Sequence, residues 1–183
     1  MMLDFNNLVD VLGKIKDLKR SGWIKRKIKN PESDADHMFS TAFLVLILSD
    51  RFEVNKCHCL ELALTHDIME IIAGDAVPGE KTKEDKYNDE LKAIKKIAID
   101  LNMPHLVEWF EEFEAGKTPE ARLVKTCDKL DAAFMAAYYD KNNRSDIKVF
   151  DEFSNRALEC LKNMGCDEAI CGCEIIKKLK KGS

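Results

Sequence analysis

The sequence predicts an all-α fold in one domain, and three observations carry that expectation. Apolar residues recur at three- and four-residue spacing along most of the chain, and no segment alternates with period two. Only eight Gly and four Pro interrupt 183 residues, which favours long helices over frequent turns. The composition, 45% hydrophobic and 34% charged, is that of a globular domain, and the length suits one full core. A single compact bundle of about six to eight helices follows, with a core over about residues 4–140 and C-terminal helices over about residues 146–181 of the 183.

Each helix has its own signal. Phe5, Leu8, Val9, Leu12, Ile15 and Leu18 trace the first, which Gly22-Trp23 is expected to break. A basic connector follows from Ile24 to Pro31, with Lys25, Arg26, Lys27 and Lys29. Ser33 is an N-cap candidate, and Asp34 and Asp36 stand in the first turn, where the helix dipole favours acids. The second helix runs through Phe39, Phe43, Leu44 and Ile47 to about Phe52. Asn55 caps a third, carrying Leu60, Leu62, Leu64, His66 and Ile68 and ending near Gly74. Asp75 to Lys86, with Pro78, Gly79 and dense charge, reads as an exposed loop. A fourth helix carries Tyr87, Leu91, Ile94, Ile97 and Leu101, and Pro104 restarts the chain for a short fifth through Trp109 and Phe113. Thr118-Pro119 is a cap followed by a proline at the first helical position, opening a sixth helix through Leu123, Val124, Leu130 and Phe134. One or two more complete the chain, from Phe150 to Met164 and Cys166 to Lys180.

Charge and hydropathy exclude several roles. With 29 basic and 33 acidic side chains the formal net charge is -4, no footprint for binding a nucleic acid polymer. No apolar run approaches the roughly 18–20 residues that cross a bilayer, so no membrane partner is expected. The N-terminus lacks a basic region before an apolar stretch, and seven Cys are an odd number without an export signal, so a cytoplasmic chain with reduced thiols is expected. Cys160, Cys166, Cys171 and Cys173 do not have the paired spacing of common zinc sites. The Lys-rich end, Lys177 to Lys181, is a solvated helix terminus.

The residues that bear chemistry are few. There are four His, of which His37 follows Asp34 and Asp36, and His66 precedes Asp67, with Glu70 one turn on and Asp75 beyond. Asp128 and Asp131 stand three apart on an otherwise apolar helix, where a carboxylate is costly unless paired or bound to metal. Two His and two Asp would make a mixed nitrogen and oxygen site suited to Mn, Co, Fe, Ni or Zn rather than calcium. Plainer readings stand beside this: each His a hydrogen-bonded core residue, Asp128 a partner for a Lys or Arg, Trp23 a hydrophobic plug. Neighbours on an ideal helix point about 100° apart, so adjacency alone does not put His66 and Asp67 on one ion.

Taken in order, His37, His66-Asp67 and Asp128 resemble the H…HD…D pattern of the HD-domain metal-dependent phosphohydrolases. Arg20-Ser-Gly-Trp23, Pro31 to His37 and His66 to Asp75 resemble, in order and spacing, the branch that contains the 5'-deoxynucleotidases. The likeness reaches to about Asp140, leaving the Cys-rich end outside. It implies an HD-domain helical bundle, a homodimer, and a phosphomonoesterase acting on deoxyribonucleoside 5'-monophosphates. The alternatives are action on a nucleoside triphosphate or cyclic nucleotide, or a sensor that binds metal and nucleotide without turnover. It further implies His37, His66, Asp67 and Asp128 as ligands of a divalent transition metal, Glu70 and Asp75 as the acidic pair that handles water and protons, and Trp23 near the nucleotide. In the bacterial member an Arg directly precedes that Trp and approaches phosphate. Gly22 stands there in this chain, so Arg20, Arg26 or a connector Lys is the expected phosphate contact. Lys83-Glu-Asp-Lys86 resembles a charged segment of the eukaryotic group.

Overall fold

A computed structural model describes residues 4–77 and 79–182; Met1 to Leu3, used above to argue against a leader, Pro78 of the expected loop, and Ser183 lie outside it. Among the described residues the chain forms ten α-helices and no strand: α1 Phe5–Asp17, α2 Ser21–Lys25, α3 Asp34–Leu48, α4 Lys56–Ala63, α5 Glu70–Ala73, α6 Lys83–Asp100, α7 His105–Ala115, α8 Pro119–Lys141, α9 Phe150–Met164 and α10 Asp167–Gly182. A 3-10 turn, Ser49–Arg51, extends α3. Among the described residues no helix is long and apolar enough to cross a membrane.

The caps read from sequence form. Ser33 and Asp36 make a reciprocal capping box at α3, and Asn55 accepts from the His58 amide at α4. Thr118 caps α8, with Pro119 at its first position. Each cap satisfies a backbone amide that the helix leaves orphaned, typically worth about 1 kcal/mol. Helix α9 has no cap of its own; the Asp140 carboxylate at the end of α8 accepts from the amides of Val149 and Phe150, both at 2.9 Å.

Helix α8 is the axis of the bundle. It packs on α3, α4, α7, α9 and α10, and its Leu123, Val124, Cys127, Leu130 and Ala133 are fully enclosed. Each Leu or Val buried in this way stabilises the fold by about 1.5–3 kcal/mol. A second cluster joins Val11, Met69, Ile94, Ile97, Leu106 and Phe110, so α6 and α7 cover one flank.

Helix α6 begins at Lys83, inside the stretch expected as a loop, because Thr82 caps it there, and two other boundaries that differ from expectation matter for the site. Helix α1 stops at Asp17, not at Gly22. Lys19 instead pairs with Ser33, the Asp34 amide donates to the Leu18 carbonyl at 2.9 Å, and the Arg20 amide to the Glu32 carbonyl at 3.3 Å. These cross-chain bonds outcompete another helical turn and fix Arg20 beside the start of α3, while Gly22-Trp23 falls inside the short α2. The expected single helix from Asn55 to Gly74 is broken over residues 64–69. There Thr65 Oγ1 takes the Glu61 carbonyl at 2.7 Å and His66 Nδ1 the Ala63 carbonyl at 2.9 Å, so side chains replace the next amides. The amides of Ile68 and Glu70 then bond three residues back, and α5 begins on Glu70.

Candidate metal centre

The break between α4 and α5 turns two adjacent side chains into one space. His37 comes from the first turn of α3, His66 and Asp67 from the break, and Asp128 from the middle of α8. His66 Nε2 lies 3.4 Å from His37 Nε2 and 3.5 Å from Asp67 Oδ2, and His37 Nε2 lies 3.4 Å from Asp128 Oδ1 and 3.7 Å from Asp67 Oδ2. Ligand atoms about 2.1 Å from a common ion stand about 3.0–3.4 Å apart, so this spacing fits a first-row divalent cation with modest contraction.

Outer partners aim the two rings. Asp131 Oδ2 sits 2.6 Å from His37 Nδ1, and the Ala63 carbonyl accepts from His66 Nδ1, which leaves both Nε2 atoms facing inward. Burial and Arg20 depress the His37 imidazole, but Asp128 and Asp131 outweigh them and hold it up at about 9. Burial depresses His66. Burial also pushes the Asp67 carboxyl up, but His66, Arg20 and His37 bring it down to about 2; burial opposes, but Lys129 and His37 hold the Asp128 carboxyl well below the usual carboxylate range. Without a cation the cluster therefore holds a proton on His37, which a metal would displace.

Glu70 and Asp75 flank the cluster. Glu70 is 5% exposed and its Oε2 has no hydrogen-bond partner; burial, then the charges of Asp67 and Asp75, raise its carboxyl well above the usual range. Asp75 Oδ2 accepts from the Ser21 amide at 2.5 Å, which leans the segment after α5 over the centre. Asp34, Asp67 and Glu70 form a second carboxylate group whose oxygens lie within 4.8 Å of one another. Arg20 lies against it, 2.6 Å from Asp67 and 3.5 Å from Asp34, and burial pushes Asp34 up to about 7 despite that arginine.

The remaining expected contacts sit farther out. Trp23 is 2% exposed, stacked on Phe153 at 4.1 Å, edge-on to Tyr139 at 5.1 Å, and bonded through Nε1 to Glu32 at 2.8 Å. Arg26 is not brought to the cluster: it pairs with Glu152, donates to the Gly22 carbonyl and lies over Phe153. Two cavities open from the centre and share Arg20, Asp75, Asp128 and Lys129. The smaller, about 200 Å³, has Trp23, Phe153, Ala132 and Ala157 in its wall. The larger, about 670 Å³, has His66, Asp67 and Glu70 at its base and Lys81, Lys83, Lys86 and Lys125 around it.

Some of these residues were not anticipated from sequence as parts of the site. Asp131 and Asp34 were visible only as acids on an apolar helix and in a first turn, and Phe153 from α9 carries no local signal at all.

A buried His/Asp cluster held between α3, the α4–α5 break and α8 of an all-helical bundle is the arrangement of an HD domain. Residues 12–163 match the HD domain family, and the chain belongs to it. The chain is similar to the 5'-deoxynucleotidase HDDC2 of Danio rerio, 38% identical over 144 residues covering 76% of this chain and 70% of that protein. It is 34% identical to the 5'-deoxynucleotidase HDDC2 of Homo sapiens over 161 residues, 85% of this chain and 76% of that protein. Among solved structures, a conserved hypothetical protein from Pyrococcus furiosus superposes with a TM-score of 0.82 at 31% identity, over 97% of this chain and 99% of that one.

Proposed function

We propose that this protein is a metal-dependent phosphomonoesterase that cleaves deoxyribonucleoside 5'-monophosphates to deoxynucleoside and phosphate. The observation that carries the reading is the convergence of His37, His66, Asp67 and Asp128 at 3.4–3.7 Å beneath an open cleft. The similarity to 5'-deoxynucleotidases of several eukaryotes supports the substrate class.

In this reading those four residues hold a divalent ion from the group Mn, Co, Fe, Ni and Zn. When bound, such an ion supplies Lewis acidity toward phosphoryl oxygens and lowers the pKa of coordinated water. Glu70, with its unpartnered buried oxygen, and Asp75, held over the centre by the Ser21 amide, are the groups that take a proton from water and return one to the leaving alkoxide. Arg20 balances the carboxylates and presents positive charge on the cleft side, the role a phosphate contact requires. The nucleoside occupies the smaller cavity, whose wall Trp23 shapes from behind with Phe153. The exposed apolar residues on α3, Phe39, Phe43, Leu46 and Ile47, provide a face for a homodimer. A reducing cytoplasm, in which the seven cysteines stay thiols, is the compartment that belongs to this reading.

The test is product analysis with dAMP, AMP, dATP and a cyclic nucleotide in added Mn or Co. Phosphate release from dAMP is expected. Phosphate from dATP with none from dAMP, or tight binding of dAMP with no turnover, would overturn the assignment. Light scattering of the eluting protein reads the dimer, with a Phe43→Glu monomer as the expected variant.

A further inference from the structure

Asp34 stands at the metal centre but belongs neither to the four candidate ligands nor to the acidic pair. It is fully buried in the first turn of α3, and neither of its carboxylate oxygens has a hydrogen-bond partner. A carboxylate kept dry and unbonded is costly, and buried ones are normally supplied with a donor. The cation beside it is Arg20, whose Nη1 stands 3.5 Å from Asp34 Oδ1.

Backbone pairing sets the two residues side by side. Lys19 and Ser33 form an antiparallel bridge. On one side of it the Asp34 amide donates to the Leu18 carbonyl at 2.9 Å, and on the other the Arg20 amide donates to the Glu32 carbonyl at 3.3 Å. Both backbones are pinned, which leaves the long arginine side chain as the part that can shift. Its Nη1 now lies 2.6 Å from Asp67 Oδ2. A move of about 0.6 Å would bring the same nitrogen to the usual 2.9 Å from Asp34.

Asp67 Oδ2 is also the oxygen that faces His66 Nε2 at 3.5 Å and His37 Nε2 at 3.7 Å. Arg20 therefore grips the oxygen that the proposed ion would share with those imidazoles. A guanidinium and a divalent ion on one buried oxygen repel each other strongly, so the two compete for it. Asp34 offers the guanidinium a second carboxylate that no hydrogen bond claims.

We propose that Asp34 is a positioning residue that draws Arg20 off Asp67 Oδ2, opening that oxygen to the metal while keeping the guanidinium at the cleft. The proposal rests on the preceding reading only for the ligands of the ion. It adds that Asp34 and Arg20, neither of them a ligand, set how tightly the ion is held.

The experiment is a double-mutant cycle on the full-length protein. Co affinity is read by competition with a chromogenic chelator, stoichiometry by elemental analysis and fold by circular dichroism. The buffer is mildly alkaline, above the Asp34 value of about 7. Asp34→Asn is expected to weaken Co about tenfold, the low end of what losing an outer partner costs a metal site. Arg20→Gln is expected to tighten it, and adding Asp34→Asn to Arg20→Gln to change affinity by less than about twofold, because the competitor is gone. An Asp34→Asn loss that persists without Arg20 is a bare charge effect and overturns the proposal, as does an Asp34→Asn protein that binds like the parent. Loss of a second bound Co in Asp34→Asn makes Asp34 a ligand and overturns it as well. A crystal structure of the Co-loaded parent depends on no variant: Arg20 Nη1 bonded to Asp34 is expected, and Arg20 still on Asp67 Oδ2 beside an unbonded Asp34 refutes the transfer. A parent that takes up no metal sinks the metal reading and this inference together, whereas a failed cycle in a parent that loads one ion sinks this inference alone.

Discussion

Asp131 makes no contact with the space a metal would fill, yet its removal should be felt there. Its Oδ2 lies 2.6 Å from His37 Nδ1, with both residues buried, and accepts the Nδ1 proton, so that Nε2 is the nitrogen a metal would take once it displaces the proton there. Asp131→Asn keeps the volume but removes the charge, and its amide can turn a donor toward Nδ1 and favour the wrong tautomer. Charge-assisted hydrogen bonds of this kind are worth about 1.5–3 kcal/mol. Loss of an outer partner of a metal-bound His typically lowers affinity about 10–100-fold, which is about 1.4–2.8 kcal/mol. The assay is competition for Mn or Co against a chromogenic chelator, with helical content followed by circular dichroism. A folded Asp131→Asn protein that binds metal within about twofold of the parent would refute the tautomer argument.

Other consequences are equally direct. Glu70→Gln should keep metal and fold but lower phosphate release from dAMP by about 10²–10⁴-fold, the range for a lost general acid or base; colorimetric phosphate detection beside metal analysis checks both. Trp23→Phe leaves Glu32 without its indole donor and should destabilise by about 1–3 kcal/mol in a urea melt, while an unchanged midpoint would count against the buried bond. His58 pairs with Glu61 at 2.9 Å and Glu112 at 2.7 Å; burial opposes but these carboxylates raise its imidazole above 6.5. Its folded value exceeds its unfolded one, so the stability it adds is complete below 6.5 and fades as pH rises through the folded value. The difference in melting temperature between the parent and His58→Gln should shrink accordingly; a gap that widens toward alkaline pH would contradict the pairing.

Much of the bundle was legible in the sequence because its determinants are local. Ser33, Asn55 and Thr118 reach amides three residues away, so each cap is written within one turn. The break at residues 64–69 was not, since Thr65 and His66 take backbone carbonyls only once the site has formed, and periodicity continues unbroken through Ile68. The end of α1 was misplaced for a similar reason: the bonds to Glu32 and Ser33 come from a separate stretch. The candidate ligands are named through the resemblance of their order to the H…HD…D pattern, whereas Asp131 as the partner of His37 needed the facing of α3 and α8. The α9 contribution was invisible, because Phe153 meets Trp23 through tertiary packing.

The positions of the four inward-facing side chains have a consequence for the unfolded chain. They fall on α3, the α4–α5 break and α8, so an ion held by all of them would act as a removable cross-link closing a loop of roughly half the chain. By the chain-entropy estimate, a permanent link around a loop on the order of 100 residues restricts the denatured state by about 4–5 kcal/mol. Metal supply would then set how long the protein survives as well as how fast it works. Removing the metal would release that link, and a lower melting temperature of the metal-free protein would report the loss before any substrate did.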